Sequence, residues 1–282
     1  MTVHYEERGH VALITIDRPE RRGAMNLESY QQLAERWRTA AAAPTVRAVV
    51  ITGVGDSYCA GADLKEFIPM VAEGARDRAA KGEAPTASPK GSEAGDLANG
   101  ASDLTLAVLR GVDYPKPIIA AVNGPCVASG MEMLLGTDIR IASPDAVFGL
   151  PEVKRGLFAS GGSTVRLPRQ IPYVHAMDIL LTGRHITAEE ALQFGLINRI
   201  VEKAKLLETA MEIANTIAVN SPGAVSATKL SVLDGFKTGI TEAYARELEH
   251  GDKVFSAPDA VEGPRAFLEK REPRWSGVSQ SV

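Results

Sequence analysis

The first part of the chain alternates between short apolar segments and amphipathic ones. Residues 10–17 (HVALITID) are rich in β-branched side chains and alternate in polarity, which predicts a strand. Residues 46–53 (VRAVVITG) and 116–124 (KPIIAAVNG) are more uniformly apolar and end in glycine, a pattern typical of buried strands. Residues 27–43 have helical periodicity, and Asn26 is placed to cap that helix.

Two more short strands are predicted farther along, at residues 138–143 and 146–150, on either side of a Ser-Pro-Asp turn. Beyond about residue 165 the pattern becomes helical, with glycine or asparagine at the predicted helix ends. Strands that recur between helical segments favour an α/β architecture over a sandwich of sheets.

Residues 71–103 differ from the rest of the chain. They contain no aromatic residue and only two large aliphatic residues, Val71 and Leu97. A segment of this composition buries too little apolar area to offset the entropy of ordering it. It is expected to be a mobile loop or a solvated helical excursion. Its function could be that of a lid over a ligand, or it could be a tolerated surface insertion.

Composition excludes several classes of protein. The 282 residues are 45% hydrophobic and carry a formal net charge of -4, without the long basic runs of a nucleic-acid-binding surface. No apolar run has the length of a membrane helix, and the beginning of the chain has no signal-peptide pattern. Two cysteines and five scattered histidines suggest neither a disulfide framework nor a metal site. A cytoplasmic protein is expected.

The segment 121–143 (AVNGPCVASGMEMLLGTDIRIAS) contains one carboxylate, Glu132, among small and apolar residues. A helix is predicted to begin near Ser129 and Gly130, which places Glu132 in its first turn. A carboxylate there can complement the helix dipole. A carboxyl in apolar surroundings also acquires a raised pKa, which suits a general acid or base. The free N–H groups at the same helix start could stabilise an oxyanion.

Two other segments have the character of a ligand site. Residues 57–66 (SYCAGADLKE) form a small-residue turn after a buried strand, where α/β folds bind ligands. Residues 148–167 contain Glu152 after a proline, and a Gly161-Gly162 pair that is expected to open into a helix. Taken alone, Glu152 could equally be a solvated loop carboxylate.

Together these motifs resemble the enoyl-CoA hydratase/isomerase, or crotonase, family. The resemblance rests on residues 60–66 (AGADLKE), 116–132 (KPIIAAVNGPCVASGME) and 148–157 (FGLPEVKRGL), and it continues through residues 180–201 and 262–277. It implies an α/β fold made of a crotonase-type spiral of ββα units, with a C-terminal helical trimerisation region. The expected division is a spiral core at 1–205, with a polar insertion at about 71–103, and a helical region at 206–282.

The resemblance also implies the active site. Backbone N–H groups of Ala62 and Ser129 would polarise the thioester carbonyl, although many family members have glycine where Ser129 stands. Glu132 and Glu152 would form the acid–base pair of a hydratase. Three further residues, Gly130, Leu157 and Ser160, are expected at the water and acyl pocket. Ser160 replaces a glycine that is common in hydratases.

Coenzyme A contacts are implied at two loops and one distant lysine. The candidates are Arg22, Ala24, Ala62, Asp63, Leu64, Lys65 and Lys270. Gly23 stands where the family often has asparagine, which makes the loop less typical. Lys270 matches a position that can approach the nucleotide bound to a neighbouring subunit. The alternative is that Lys270 is only an exposed charged residue on a helix.

The implied function is that of an enoyl-CoA hydratase, with an acyl-CoA thioester as substrate, in acyl-CoA metabolism such as β-oxidation of fatty acids. No separate cofactor and no metal are expected, and the assembly would be a homotrimer or a hexamer. An enoyl-CoA isomerase or a specialised hydratase-like lyase remains an alternative. A non-enzymatic acyl-CoA or RNA-binding module is a further one, although the glutamate pair argues against the former and the mild acidic charge against the latter.

Overall fold

The structure, a computed structural model, describes residues 1–83 and 102–276. Its strands are β1 (Val3–Arg8), β2 (Val11–Ile16), β3 (Ala48–Gly53), β4 (Ile118–Val122), β5 (Cys126–Val127), β6 (Ile139–Ala142), β7 (Val147–Gly149), β8 (His185–Thr187) and β9 (Arg199–Ile200). Six of them form one sheet in the order β1-β2-β3-β4-β6-β9, and β5-β7-β8 form a smaller sheet. In the large sheet only the β1–β2 pair is antiparallel.

The helices are α1 (Leu27–Ala42), α2 (Phe67–Ala80), α3 (Asp103–Ala107), α4 (Ser129–Leu134), α5 (Ser163–Gln170), α6 (Tyr173–Thr182), α7 (Ala188–Gln193), α8 (Leu206–Ala218), α9 (Pro222–Gly235), α10 (Ile240–Phe255) and α11 (Asp259–Leu268). The α/β prediction is confirmed, and helix α1 begins where it was expected. The side chain of Asn26 accepts a hydrogen bond from Ser29 N at 3.0 Å, which caps its first turn.

Strand β1 was not predicted from the sequence. It lies at the edge of the sheet, and of its six residues only Val3 is buried. An edge strand with exposed polar side chains lacks the apolar alternation that identifies a half-buried strand. Its partner β2 was predicted, because most of its side chains are buried.

Helices cover both faces of the large sheet. On one face, Ile14 and Ile51 belong to the main hydrophobic core together with Trp37 of α1. On the opposite face, Leu13 and Val50 form a second cluster with the alanine side of α8. Burial on both faces explains why β3 and β4 are almost continuously apolar in the sequence.

The beginning of the atypical segment 71–103 is helical, because α2 extends through Ala80. Phe67 is the buried residue of this helix, and its ring stacks on Tyr30 with 4.6 Å between centroids. Of the two predicted alternatives, the solvated helix is therefore confirmed for residues 71–80. Residues 84–101 lie outside the described residues, so the lid remains a prediction.

The last three helices expose many large apolar side chains. Phe255 is 81% exposed and Phe267 is 83% exposed. Helix α9 is attached to the sheet by Lys229, whose Nζ donates to Asp138 Oδ2 at 2.7 Å and to Lys116 O at 2.9 Å. Among the helices that the structure describes, none is long and apolar enough to cross a membrane.

Candidate active site

Two loops that follow neighbouring strands of the large sheet lie side by side at the candidate site. Cys59, after β3, pairs with Cys126 of β5 in an isolated parallel bridge. Cys59 N donates to Pro125 O, and Val127 N donates to Cys59 O, both at 3.0 Å. This backbone pairing brings the AGAD turn beside the start of helix α4.

The approach is so close that it requires glycine. Gly61 has a φ of +99°, and a Cβ atom added there would lie 2.7 Å from Ala128 Cβ and 3.5 Å from Ser129 N. The adjacent N–H groups of Ala62 and Ser129 have no hydrogen-bond acceptor among the described residues. Two unpartnered donors on neighbouring loops can stabilise an oxyanion.

The start of α4 has a strained backbone. Ala128, its N-cap, has a φ of 50° and a ψ of -124°, a region that favours glycine. Ala128 O accepts the N–H of Glu132 at 2.9 Å, so the strained residue also fixes the first turn of the helix. Glu132 therefore lies in the first turn, as the sequence predicted.

Glu132 is almost completely buried, and hydrogen bonds hold its carboxyl group. Gly161 N donates to Oε1 at 2.5 Å, and the Ser163 hydroxyl donates to the same oxygen at 3.4 Å. Burial raises the pKa of Glu132 above its usual range, while the hydrogen bonds from Gly161 and Ser163 limit the rise. A buried, oriented carboxyl with a raised pKa suits proton transfer.

Glu152 lies in a short 3-10 helix, Pro151–Arg155, directly after β7. Its Oε2 atom is buried and has no hydrogen-bond partner among the described residues. Burial raises the pKa of Glu152 to about 7, and the nearby charge of Glu132 adds to the rise. Glu152 is partly buried within a 3-10 helix, so it is not a fully solvated loop carboxylate.

The two carboxyl groups belong to one site. The charge of Glu132 acts on Glu152, and the charges of both act on the buried hydroxyl of Tyr30. The ionised form of Glu132 therefore disfavours ionisation of Glu152. Two interacting carboxyl groups, one with an oxygen free to accept a hydrogen bond from a small ligand, suit acid–base catalysis on water.

The residues expected around the pair differ in their surroundings. Gly130 packs against the backbone of Cys59, since a Cβ there would lie 2.3 Å from Cys59 O. Leu157 is partly buried, and its N–H donates to Glu152 O at 3.0 Å. Ser160 is exposed, whereas the following residue, Gly161, supplies the N–H that contacts Glu132.

The loop 18–26 lies against the AGAD turn. Met25 N donates to Gly61 O, and Asp63 N donates to Met25 O, both at 2.8 Å. Arg22 O accepts from Ala60 N at 3.0 Å. Arg22, Leu64 and Lys65 are exposed, while Ala24 is partly buried.

Asp63 is buried and organises the turn before α2. Its Oδ1 accepts from Lys65 N at 3.0 Å, and its backbone carbonyl accepts from Phe67 N at 2.9 Å. Lys270 is exposed after α11, and its own N–H donates to Phe267 O at 3.2 Å. Among the described residues of one chain, Lys270 makes no hydrogen bond or ion pair with Glu132 or Glu152.

Sequence reasoning missed Arg18 and Tyr30. Arg18 is buried, donates from Nη1 to Ala24 O at 2.5 Å, and lies 3.7 Å from Asp63 Oδ2. It therefore holds the loop against the turn. Tyr30 lies on the buried face of α1, where aromatic residues are common. The sequence therefore does not indicate that its hydroxyl makes a specific contact.

No group of three or more His, Cys, Asp or Glu that could hold a metal ion occurs within residues 1–83 and 102–276.

Comparison with known proteins identifies the family. The family model described as enoyl-CoA hydratase/isomerase matches residues 6–84 and 92–278. Enoyl-CoA hydratase EchA19 of Mycobacterium tuberculosis is 42% identical over 270 residues, covering 96% of this chain and 94% of that protein. The carnitinyl-CoA dehydratase of Proteus mirabilis is 36% identical, covering 98% of each chain.

Solved structures agree with the sequence relatives. An enoyl-CoA hydratase from Bacillus anthracis superposes with a TM-score of 0.82 at 31% identity, covering 99% of this chain and 100% of that one. An enoyl-CoA hydratase from Mycobacterium tuberculosis gives a TM-score of 0.81 at 35% identity, covering 98% and 99%. The chain therefore belongs to the enoyl-CoA hydratase/isomerase family and has the crotonase fold.

Proposed function

We propose that the protein is an enoyl-CoA hydratase that adds water across the 2,3 double bond of an enoyl-CoA thioester. The observation that carries the proposal is the buried, unpartnered Oε2 of Glu152 in the same site as Glu132. A carboxyl oxygen in that state is available to a water molecule, and a second carboxyl nearby can complete the transfer of its protons.

The reaction would proceed through an enolate. The thioester oxygen would accept hydrogen bonds from the N–H groups of Ala62 and Ser129, which stabilises negative charge as it develops. The water oxygen would bond to C3 while one carboxylate of the pair takes a water proton, and a proton from the pair would reach C2. Removal of one oxyanion donor from an acyl-transfer enzyme costs about 3–4 kcal/mol of transition-state stabilisation.

The coenzyme A portion would lie along the loop 18–26 and the AGAD turn. Arg22, Ala24 and the run from Ala62 to Lys65 remain the candidate contacts, since the two segments are hydrogen-bonded to each other. Lys270 would act only across a subunit boundary. The exposed apolar surface of α9, α10 and α11 supports a trimer, alone or paired into a hexamer.

No resident cofactor takes part in this mechanism, because coenzyme A is part of the substrate. The free thiols of Cys59 and Cys126 suit a reducing compartment, which supports a location in the cytoplasm. Acid–base chemistry at a buried carboxyl pair favours an enzyme over an acyl-CoA or RNA-binding module.

Absorbance of the conjugated enoyl-CoA thioester tests the proposal. Purified protein should remove the conjugated band of a 2-enoyl-CoA, and mass spectrometry should detect a product heavier by one water. A gain of the band from a 3-enoyl-CoA, without hydration, would instead establish an isomerase. Binding without either change would establish a binding module.

A specialised hydro-lyase is the second candidate, because relatives at similar identity are named for unusual substrates. The mevalonyl-coenzyme A hydratase of Aspergillus fumigatus is 37% identical over 268 residues, and the Proteus mirabilis relative is named a carnitinyl-CoA dehydratase. A substrate panel of straight-chain enoyl-CoA thioesters, mevalonyl-CoA and carnitinyl-CoA separates these activities by kcat/KM.

A further inference from the structure

The serine at the candidate oxyanion position has a partner on a distant helix. Tyr30 of α1 donates its hydroxyl to Ser129 Oγ at 2.8 Å, and the two residues are 99 positions apart in the chain. Both side chains are buried, at 3% and 8% exposure. The proposed oxyanion donor is the backbone N–H of Ser129, which needs neither hydroxyl group. The contact between the two hydroxyls therefore calls for a separate explanation.

The direction of the hydrogen bond determines what the serine can do. Because Tyr30 gives its only hydroxyl proton to Ser129, the proton of Ser129 is free to be donated onward. Ser129 and Glu132 are three positions apart in α4, so their side chains share one face of the helix. The Ser129 hydroxyl lowers the pKa of Glu132, as a hydrogen-bond donor to a carboxylate does.

Tyr30 is held firmly enough to act as an anchor. Its ring stacks on Phe67 with an interplanar angle of 17°. Burial raises the pKa of its hydroxyl, so Tyr30 stays protonated and remains a donor. Ser129 therefore accepts a hydrogen bond from Tyr30, and its own proton remains available to another acceptor.

We propose that Tyr30 and Ser129 are a positioning pair that orients the Glu132 carboxyl and stabilises its charged form. Tyr30 fixes the rotamer of Ser129, and Ser129 donates toward Glu132. The inference rests on the proposed hydratase function only for its effect on turnover, since the orientation of Glu132 is a property of the protein without substrate.

Other groups facing Glu132 must be included in a test that depends on pH. Arg110, beyond α3, and Arg166, of α5, have positive charges that interact with Glu132, and Glu152 is its negative neighbour. Gly161 N–H and the Ser163 hydroxyl donate to Oε1. The charge of Glu152 also acts on the Tyr30 hydroxyl, so a shift is assigned to the hydroxyl pair only when Ser129→Ala, which keeps Tyr30, shows it too.

The test uses Tyr30→Phe, Ser129→Ala and the double variant, all in the full-length protein. Tyr114→Phe is the matched control, because Tyr114 is also buried and loses a single hydrogen bond, from its hydroxyl to Trp37 O at 2.9 Å. Infrared difference spectra against Glu132→Gln, recorded as a function of pH, give the titration of the Glu132 carboxyl without any substrate.

We expect the Glu132 titration to shift upward by about half a pH unit or more in Tyr30→Phe and in Ser129→Ala, since removing a donor disfavours the carboxylate. The double variant should shift no farther than Ser129→Ala, because the two hydroxyls act in series. If hydration is observed, the acidic limb of its pH profile should move in the same direction. Tyr114→Phe should leave the titration in place.

An unshifted titration in Tyr30→Phe, with a loss of thermal stability like that of Tyr114→Phe, would overturn the proposal and leave the contact as a tie between α1 and α4. Additive shifts in the double variant would also overturn the serial arrangement. A wild-type protein without hydratase activity contradicts the proposed function instead, and the infrared titration still decides the positioning role.

Discussion

Gly161 contacts Glu132 so closely that a side chain at residue 161 would have to displace the Glu132 carboxyl group. A Cβ atom added to Gly161 would lie 2.3 Å from Glu132 Oε2 and 2.9 Å from Oε1. The N–H of the same residue donates to the carboxyl group. One backbone position therefore both orients the carboxylate and sets the limit of the space around it.

Replacing Gly161 by alanine should displace the Glu132 carboxyl and reduce kcat for hydration by about 10- to 100-fold, because catalytic geometry tolerates little misplacement. Steady-state kinetics with an enoyl-CoA measures the loss, and circular dichroism checks the fold. Gly74→Ala is the control, since its Cβ would meet only the Arg78 side chain at 3.6 Å. Equal kcat in Gly161→Ala and the wild type would contradict this account of the contact.

Glu132→Gln and Glu152→Gln should each reduce hydration by at least about 100-fold, as expected for removal of one member of an acid–base pair. Glutamine keeps the shape of the side chain, so folding should be retained. Single-turnover kinetics separates loss of chemistry from loss of binding. Glu73→Gln, an exposed change on α2, is the matched control. A variant with near-normal kcat would show that its glutamate is structural.

Stability should depend on pH through Glu152. Its pKa is about 7 in the folded protein against a usual 4.5, so between these values the folded state binds more protons than the unfolded state. The free energy of unfolding therefore falls as pH rises through this window. Glu152→Gln cannot ionise, so its stability relative to the wild type should improve by about 1–2 kcal/mol between pH 5 and pH 8.

Urea unfolding of both proteins at the two pH values measures this difference. The raised pKa of Glu132 makes stability fall with rising pH in the same way. This contribution cancels between the wild type and Glu152→Gln when Glu132 has the same pKa in both proteins. A constant difference across the pH range would show that Glu152 ionises at its ordinary pKa in the folded protein.

Ala128→Gly should raise the free energy of unfolding by about 1 kcal/mol, because glycine relieves the strained φ and ψ of this residue. The usual effect of alanine to glycine is a loss of about 1 kcal/mol in a helix interior, which Ala75→Gly in the exposed helix α2 should show. Thermal or urea unfolding gives both values. A loss in both variants would mean that Ala128 is not strained in the folded protein.

The exposed apolar side chains of α10 and α11 should be covered by subunit contacts. Multi-angle light scattering at micromolar concentration should give the mass of a trimer or a hexamer, and Phe255→Asp should shift the protein toward smaller species. The reason is that a charge is costly in a desolvated interface. Val153→Asp, at an exposed residue beside Glu152, serves as a comparison for surface charge alone. A monomeric wild type would remove the subunit-crossing role of Lys270.

The sequence was sufficient for elements whose pattern follows from burial. Strands β2, β3 and β4 were predicted because their side chains are buried, and α1 because its cap and periodicity agree. Edge strand β1 was missed for the complementary reason. Its backbone pairs with β2, but its mostly exposed, polar side chains do not show the apolar alternation from which a strand is predicted.

For the candidate site, the family motif predicted the residues, and the structure added the contacts among them. Glu132 and Glu152 are twenty positions apart, and only the fold brings the charge of Glu132 to act on Glu152. The hydroxyl contact between Tyr30 and Ser129 could not be predicted, because it joins helices 99 positions apart and involves a tyrosine typical of any helix core. The contact of Gly161 could not be predicted either, because its Gly-Gly pair indicated only the start of a helix.

The bridge between Cys59 and Cys126 has a consequence for how such a site can diversify. It fixes the spacing of the candidate donors on Ala62 and Ser129 through peptide groups, which are the same whatever side chains the neighbouring positions carry. This spacing can tolerate a change of side chain at residue 129, where the N–H and not the side chain is the candidate donor. It cannot tolerate one at residue 61, where only glycine fits. Changes that adapt the site to another acyl group must therefore come from side chains outside this contact.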